Sequence, residues 1–212
     1  MSNSPITNRS TTKRRIGAVG AITALCVCGI AAASPRVSIT DGGAARGANT
    51  AADTSAAPAV GSEAPDFTAP LVGADGKATT VTLRALRKRV VVVAFYPKDR
   101  SGGCTAELSK FRDEFASLFG EGVTVLPVSV DDMSSHAGWA ADMHFPFALV
   151  SDTSGAIARS YGSIEAGRPY TNRTVFVIGK DGRVVWRELR FGALDQHAYD
   201  ALAAAVAAAK RD

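Results

Sequence analysis

The sequence predicts an α/β domain, a mixed central sheet flanked by helices, carried behind a long front end of different character. Three observations support this. The run VVVVAFY, Val90 to Tyr96, is apolar without a break, as expected of a strand covered on both faces of its sheet. After it, Leu108, Phe111, Phe115, Leu118 and Phe119 recur at three- and four-residue steps, the spacing of a helix packed on that sheet. Strand and helix patterns then alternate for the rest of the chain.

The folded part is expected over residues 61–212. Phe67 to Leu71 and Thr79 to Leu83 flank Gly73-Ala74-Asp75-Gly76, which predicts an N-terminal hairpin extension. The buried strand at 90–96 leads into a helix that carries Cys104 at its start and runs to Phe119, where Gly120 closes it. A second buried strand covers Val123 to Val130. A short helix through Trp139 and Met143, a strand at Phe147–Val150 and a helical turn from Gly155 to Tyr161 follow. Thr174 to Ile178 and Val184 to Leu189 are strands joined by the turn Lys180-Asp181-Gly182. An Ala-rich helix from about Asp195 to Lys210 ends the chain. This order resembles a thioredoxin-like fold with an insertion at about residues 145–165.

Charge divides the chain at the same place. The 212 residues carry 24 basic and 20 acidic side chains, a net of +4. Six of the basic residues (Arg9, Lys13, Arg14, Arg15, Arg36, Arg46) and two of the acids (Asp41, Asp53) fall in residues 1–60, leaving 18 of each beyond. The domain is therefore neutral, and nothing in its charge calls for nucleic acid. The excess sits in a basic patch followed by the apolar stretch Ile16 to Ala33, which ends in three alanines before Ser34-Pro35. Basic, then apolar, then small is the order of a secretory signal. At 18 residues, the stretch is also just long enough for a retained membrane anchor. Residues 1–33 are thus expected to be a signal peptide or N-terminal anchor, placing the protein outside the bacterial cytoplasm or tethering it to a membrane through residues 16–33. Residues 34–60, rich in Ala, Gly, Ser and Thr and without aromatics, read as a flexible linker.

Of three cysteines, Cys26 and Cys28 lie in the front segment and Cys104 is alone in the domain. A disulfide framework and a cysteine-rich metal site are both excluded there. His136, His144 and His197 show no metal-ligand spacing, so neither metal nor cofactor is expected. Asp131-Asp132 read as a solvated loop.

A lone cysteine is either a small buried hydrophobe or a reactive thiol. An ordinary thiol is only a few per cent thiolate at neutral pH, and the thiolate is the nucleophile. Cys104 stands in the first turn of a helix, where backbone N–H groups are unpaired and the macrodipole is positive. Gly102 and Gly103 should leave its sulfur uncovered, Ser101 can set a hydroxyl beside it, and Pro97 stiffens the loop. These features point to an accessible, reactive thiolate. Without Cys-x-x-Cys, disulfide exchange of the thioredoxin type is excluded by stoichiometry. Attack on a peroxide O–O bond to give a sulfenic acid is chemistry open to one thiolate.

Residues 95–107, FYPKDRSGGCTAE, resemble the active-site segment of the peroxiredoxins, Pro-x-x-x-(Thr/Ser)-x-x-Cys, with Pro97, Ser101 and Cys104 in the fixed places. GSEAPDFTAPL, VVVVAFYPKD, FPFALVSD and NRTVFVIGKDGRV are similar to the bacterioferritin-comigratory, or Q-type, branch. The resemblance covers residues 61–212. It implies an antioxidant thiol-dependent peroxidase acting on hydrogen peroxide and small organic hydroperoxides. Cys104 would be the peroxidatic cysteine and Arg173 the active-site arginine. Ser101 would hydrogen-bond the peroxide, Pro97 would shield the thiolate from bulk water, and Glu107 would orient the arginine. Where many relatives of this branch carry a resolving cysteine, five residues after the peroxidatic one, this chain has Ser109. The resemblance therefore implies a one-cysteine mechanism and an external thiol reductant, thioredoxin or a low-molecular-weight thiol. The alternative is a tethered thioredoxin-fold redox or binding module without peroxidase turnover.

Overall fold

The computed structural model describes residues 57–212. The expected signal or anchor at 1–33, and the linker as far as residue 56, lie outside the described residues. At 57–60 the chain is held against the domain. Arg187 donates to the carbonyls of Ala57 and Pro58 at 2.6 and 2.7 Å, and Ala57 packs on one of the two cores.

Seven strands form one mixed sheet in the order β2-β1-β5-β4-β3-β6-β7. The hairpin of β1 (Thr68–Val72) and β2 (Ala78–Thr82) is antiparallel and pairs through β1 with β5 (Leu149–Ser151). β3 (Val90–Phe95) and β4 (Val123–Ser129) run parallel at the centre, and β5 continues parallel beside β4. β6 (Thr174–Ile178) lies antiparallel to β3, and β7 (Val184–Glu188) antiparallel to β6. This is the thioredoxin-like arrangement expected, with β5 supplied by the 145–165 insertion. Pro127 sits inside β4, yet the proline strands no ladder hydrogen bond, because β5 pairs with β4 only at Val128 and Ser129.

Alternation along β3 sends side chains to both faces. Val90, Val92, Ala94 and Tyr96 enter one core with Leu108, Phe111, Trp139, Leu202 and Val206. Val91, Val93 and Phe95 enter the other, with Phe67, Leu71, Ile157, Tyr161 and Phe176. Tyr96, expected in the strand, lies one residue beyond it but stays fully buried.

The expected continuous helix to Phe119 is divided. α1 spans Gly102–Asp113 and α2 Phe115–Leu118, separated at Glu114, whose φ of −107° and ψ of 22° leave helical values. The Ser117 hydroxyl donates to the Glu114 carbonyl, which offers the backbone an alternative partner at the break. Gly120, at φ +65°, ends the segment as expected. The remaining helices are α3 (Met133–Met143), α4 (Ala156–Ser160) and α5 (Gln196–Arg211). Among the described residues, no helix is long and apolar enough to cross a membrane.

Asp131 and Asp132 lie in a loop as expected, Asp132 exposed and Asp131 half-buried, and both carboxylates are engaged. Asp132 caps α3, its carboxylate accepting from the Ser134 and Ser135 N–H groups at 3.0 and 2.8 Å. Asp131 accepts from the Ser129 hydroxyl and the Asp99 N–H, both at 2.8 Å.

Phe111 ties α1 to the opposite end of the chain through edge contacts with Phe119, Phe191 and Tyr199. Phe111→Ala is expected to lower unfolding free energy by about 3–5 kcal/mol, read from denaturant titration of the purified domain.

Candidate active site

Antiparallel pairing puts Phe95, at the end of β3, opposite Thr174, at the start of β6. The residues just after β3 and just before β6 therefore share one edge of the sheet. Thr171 secures the junction, its buried hydroxyl donating to the Tyr96 carbonyl at 2.6 Å. In this way, Arg173 arrives beside Cys104 from 69 residues away.

Cys104 occupies the first turn of α1, two residues after Gly102. Thr105 is the first to donate back, to the Ser101 carbonyl at 2.8 Å, so the N–H groups of Gly102, Gly103 and Cys104 have no acceptor within the helix. Ser101 stands at the N-cap position but does not cap. Its hydroxyl donates instead to the Lys98 carbonyl at 3.0 Å. Pro97 is half-buried at the loop entrance.

The sulfur is not uncovered, as the glycines had suggested. Cys104 is fully buried and belongs to the core that holds Leu108 and Phe111, its neighbours one and two turns along the same helix face. The bare backbone at Gly103 serves Arg173, because a Cβ there would come within 3.1 Å of the guanidinium. Arg173 Nη2 donates to Cys104 Sγ at 3.3 Å.

The other end of the same guanidinium, Nη1, donates to Glu107 Oε2. Glu107 is fully buried, while the Arg173 side chain is 17% exposed. Burial pushes the Glu107 carboxyl up to about 7, with the charge and hydrogen bond of Arg173 pulling against it. Burial opposes the charge on Arg173, but Glu107 and Cys104 outweigh it and raise its pKa. Glu107 Oε1 has no hydrogen-bond partner. Cys104, Arg173 and Glu107 are thus in contact as one line of groups. Ser101 and Pro97 lie in the adjoining loop without a bond to the sulfur.

A second group of residues escaped the sequence reading. Asp99, five residues before Cys104, is buried and accepts from the Tyr96 hydroxyl at 2.8 Å, the Ser135 hydroxyl at 2.7 Å and His136 Nδ1 at 2.9 Å. His136 also meets the Val150 carbonyl at 3.2 Å through Nε2. This buried network fastens the loop ahead of α1 to α3 and β5. The signal available in the sequence was an acid placed between Pro97 and Ser101, in a loop that otherwise exposes its charges.

A profile of the AhpC/TSA family matches residues 60–187. The chain belongs to the AhpC/TSA family, in its Bcp, or peroxiredoxin Q, branch. This peroxiredoxin is 35% identical over 141 residues to the peroxiredoxin Bcp of Xanthomonas campestris, covering 63% of this chain and 86% of that protein. A cysteine-to-serine variant of X. campestris peroxiredoxin Q superposes with a TM-score of 0.59 at 32% identity, covering 68% of this chain and 91% of the other. The X. campestris bacterioferritin comigratory protein, solved as trapped intermediate and ligand complexes and described by its alkyl peroxide reduction activity, superposes at 0.57. It is 32% identical and covers 66% and 91% of the two chains.

A carboxyl raised by burial makes folding favour its protonated form, so its contribution is full below the unfolded value of 4.5 and is lost as pH rises through about 7. Comparing this peroxiredoxin with its Glu107→Gln variant, the stability difference is expected to move in favour of the variant between pH 4.5 and 7. Thermal unfolding in a pH series reads the trend.

Proposed function

We propose that this enzyme runs a one-cysteine peroxidase cycle centred on Cys104. Membership of the AhpC/TSA family and likeness to Bcp peroxiredoxins make it a thiol-dependent peroxidase. The observation that carries the finer reading is the hydrogen bond from Arg173 Nη2 to Cys104 Sγ, with Glu107 holding the far side of the guanidinium.

The cycle uses groups already described. The Arg173 guanidinium beside the sulfur and the free N–H groups of the first helical turn set positive charge where the attacking sulfur and the leaving oxygen meet. The thiolate attacks the terminal oxygen of a hydroperoxide, so an S–O bond forms as the O–O bond breaks. The departing alkoxide or hydroxide takes up a proton and leaves as alcohol or water. Negative charge moves from sulfur to the leaving oxygen during the step. A guanidinium with several donors can follow that charge, and the Cys104 N–H can donate to the oxygen that takes it up. Ser101, whose hydroxyl oxygen can still accept, and half-buried Pro97 lie in the loop leading to Cys104. Hydrogen peroxide and small organic hydroperoxides fit a buried sulfur that must be reached through a local opening.

Ser109 stands where a resolving cysteine would, and Cys104 is the only free cysteine among the described residues. The sulfenic acid then awaits an outside thiol, of the thioredoxin or low-molecular-weight type, and is open to further oxidation to sulfinic acid meanwhile. The basic, apolar and small-residue order of residues 9–33 supports export from the cytoplasm for this chain.

One equivalent of hydrogen peroxide, added to the full chain with a dimedone trap, is expected to give one adduct on Cys104 by mass spectrometry. Cys104→Ser is expected to reduce peroxide consumption with a thiol donor to background. Turnover by that variant would contradict the assignment.

A further inference from the structure

The loop before β6 and the residues just after β7 line an open cleft of about 420 Å³ that Arg173 borders. Three guanidinium groups line it, those of Arg168, Arg173 and Arg190, against a single carboxylate, Glu165. Arg173 is shared, because its Nη2 is the donor to Cys104 Sγ. The cleft and the thiol therefore share one side chain, Arg173.

The three arginines differ in what they already hold. Arg173 is committed to Glu107 and Cys104. Arg168 is partly satisfied, with Nε 3.0 Å from Glu165 and its guanidinium 5.8 Å from the Tyr170 ring centre. Arg190 is exposed, and among the described residues only its backbone N–H has a hydrogen-bond partner, the Glu188 carboxylate. A planar fork of donors without an anion, in a concavity beside another half-used guanidinium, is a receptor for carboxylate.

Size and lining narrow the occupant. The volume lies in the range of small-molecule sites, roughly 300–1,000 Å³. Leu189 and Phe191 are the only apolar side chains of the wall, too few to shelter an acyl chain. Concavity and polarity together favour a small polar solute over a folded partner surface.

We infer that this cleft seats the carboxylate end of a small peptide-type thiol, held by Arg190 and Arg168, which serves as the reductant of the oxidised cysteine. The inference rests on the sulfenic-acid cycle proposed above and adds the chemical class of the electron donor. The seated thiol attacks the sulfenic sulfur as thiolate. The S–O bond breaks, hydroxide leaves and takes a proton to become water, and a mixed disulfide forms on Cys104. A second molecule of the same thiol attacks the peptide-thiol sulfur of that disulfide. Cys104 leaves as thiolate, and two thiols have been oxidised to one disulfide for each peroxide reduced.

The test separates the two half-reactions in the full chain. Sulfenic acid is formed with one equivalent of hydrogen peroxide and verified by dimedone trapping. Its decay is then timed with glutathione, a tripeptide thiol bearing two carboxylates, and with neutral 2-mercaptoethanol. At equal thiolate concentration, glutathione is expected to react about ten-fold faster, with the advantage shrinking as salt is raised. Arg190→Glu is expected to remove most of that advantage while changing the 2-mercaptoethanol rate less than about two-fold. Arg211→Glu, the same charge change at the far end of α5, is expected to preserve it. An equal loss with both thiols, or an unchanged ratio, overturns the inference. So does a result in which Arg190→Glu slows oxidation by linoleic acid hydroperoxide relative to cumene hydroperoxide but leaves the thiol ratio intact, since the cleft would then serve the oxidant. Failure to form any sulfenic acid is distinct, and overturns the peroxidase cycle itself.

Discussion

A charged guanidinium held against a buried sulfur is the interaction on which this site depends. Taking Arg173 partly out of water is costly, and a cysteine sulfur alone is a weak acceptor to set against that cost. Glu107 supplies the compensation from inside the core, one turn along the helix that carries Cys104. The carboxyl is itself disfavoured as an anion there, which burial shows by pushing it up to about 7. Neither member of the pair is comfortable without the other. The arrangement is thus better understood as fixing a geometry than as adding stability.

Several features of the fold can be read as meeting that geometry. The antiparallel β3–β6 pair brings Arg173 to the sheet edge at which β3 hands over to α1. Gly103 leaves room for the guanidinium to lie against the helix. The buried Asp99 network fixes the loop between strand and helix, so the first turn of α1 starts from a defined place. Phe111, beneath the same helix, carries the constraint through to α5.

Much of this was legible in the residues. Apolar periodicity located every strand of the sheet and its flanking helices, because burial on one or two faces leaves a direct imprint on residue type. The residues around Cys104 pointed to the thiol, and only the resemblance to the peroxiredoxins added Arg173 and Glu107 to it. What periodicity missed was set by contacts between distant segments. The break at Glu114 follows from local backbone bonding that an unbroken apolar stripe does not reveal. The burial of Cys104 was hidden because Gly102-Gly103 reads as exposure, while the space at Gly103 is taken by the Arg173 side chain, far away in sequence. Asp99 and His136 look like surface residues one by one, and only the hydrogen bond between them and those to Tyr96 and Ser135 explain why they can be buried.

The central claim is that Glu107 acts on the thiol through Arg173 and not independently of it. A double-mutant cycle on the rate constant for Cys104 oxidation by hydrogen peroxide measures this directly. Arg173→Met is expected to slow oxidation by about a hundred-fold, the scale of losing one transition-state donor, and Glu107→Leu by a smaller factor. If the account holds, the double variant is no slower than Arg173→Met alone. Losses that multiply would show that Glu107 reaches the sulfur by another route and would contradict it.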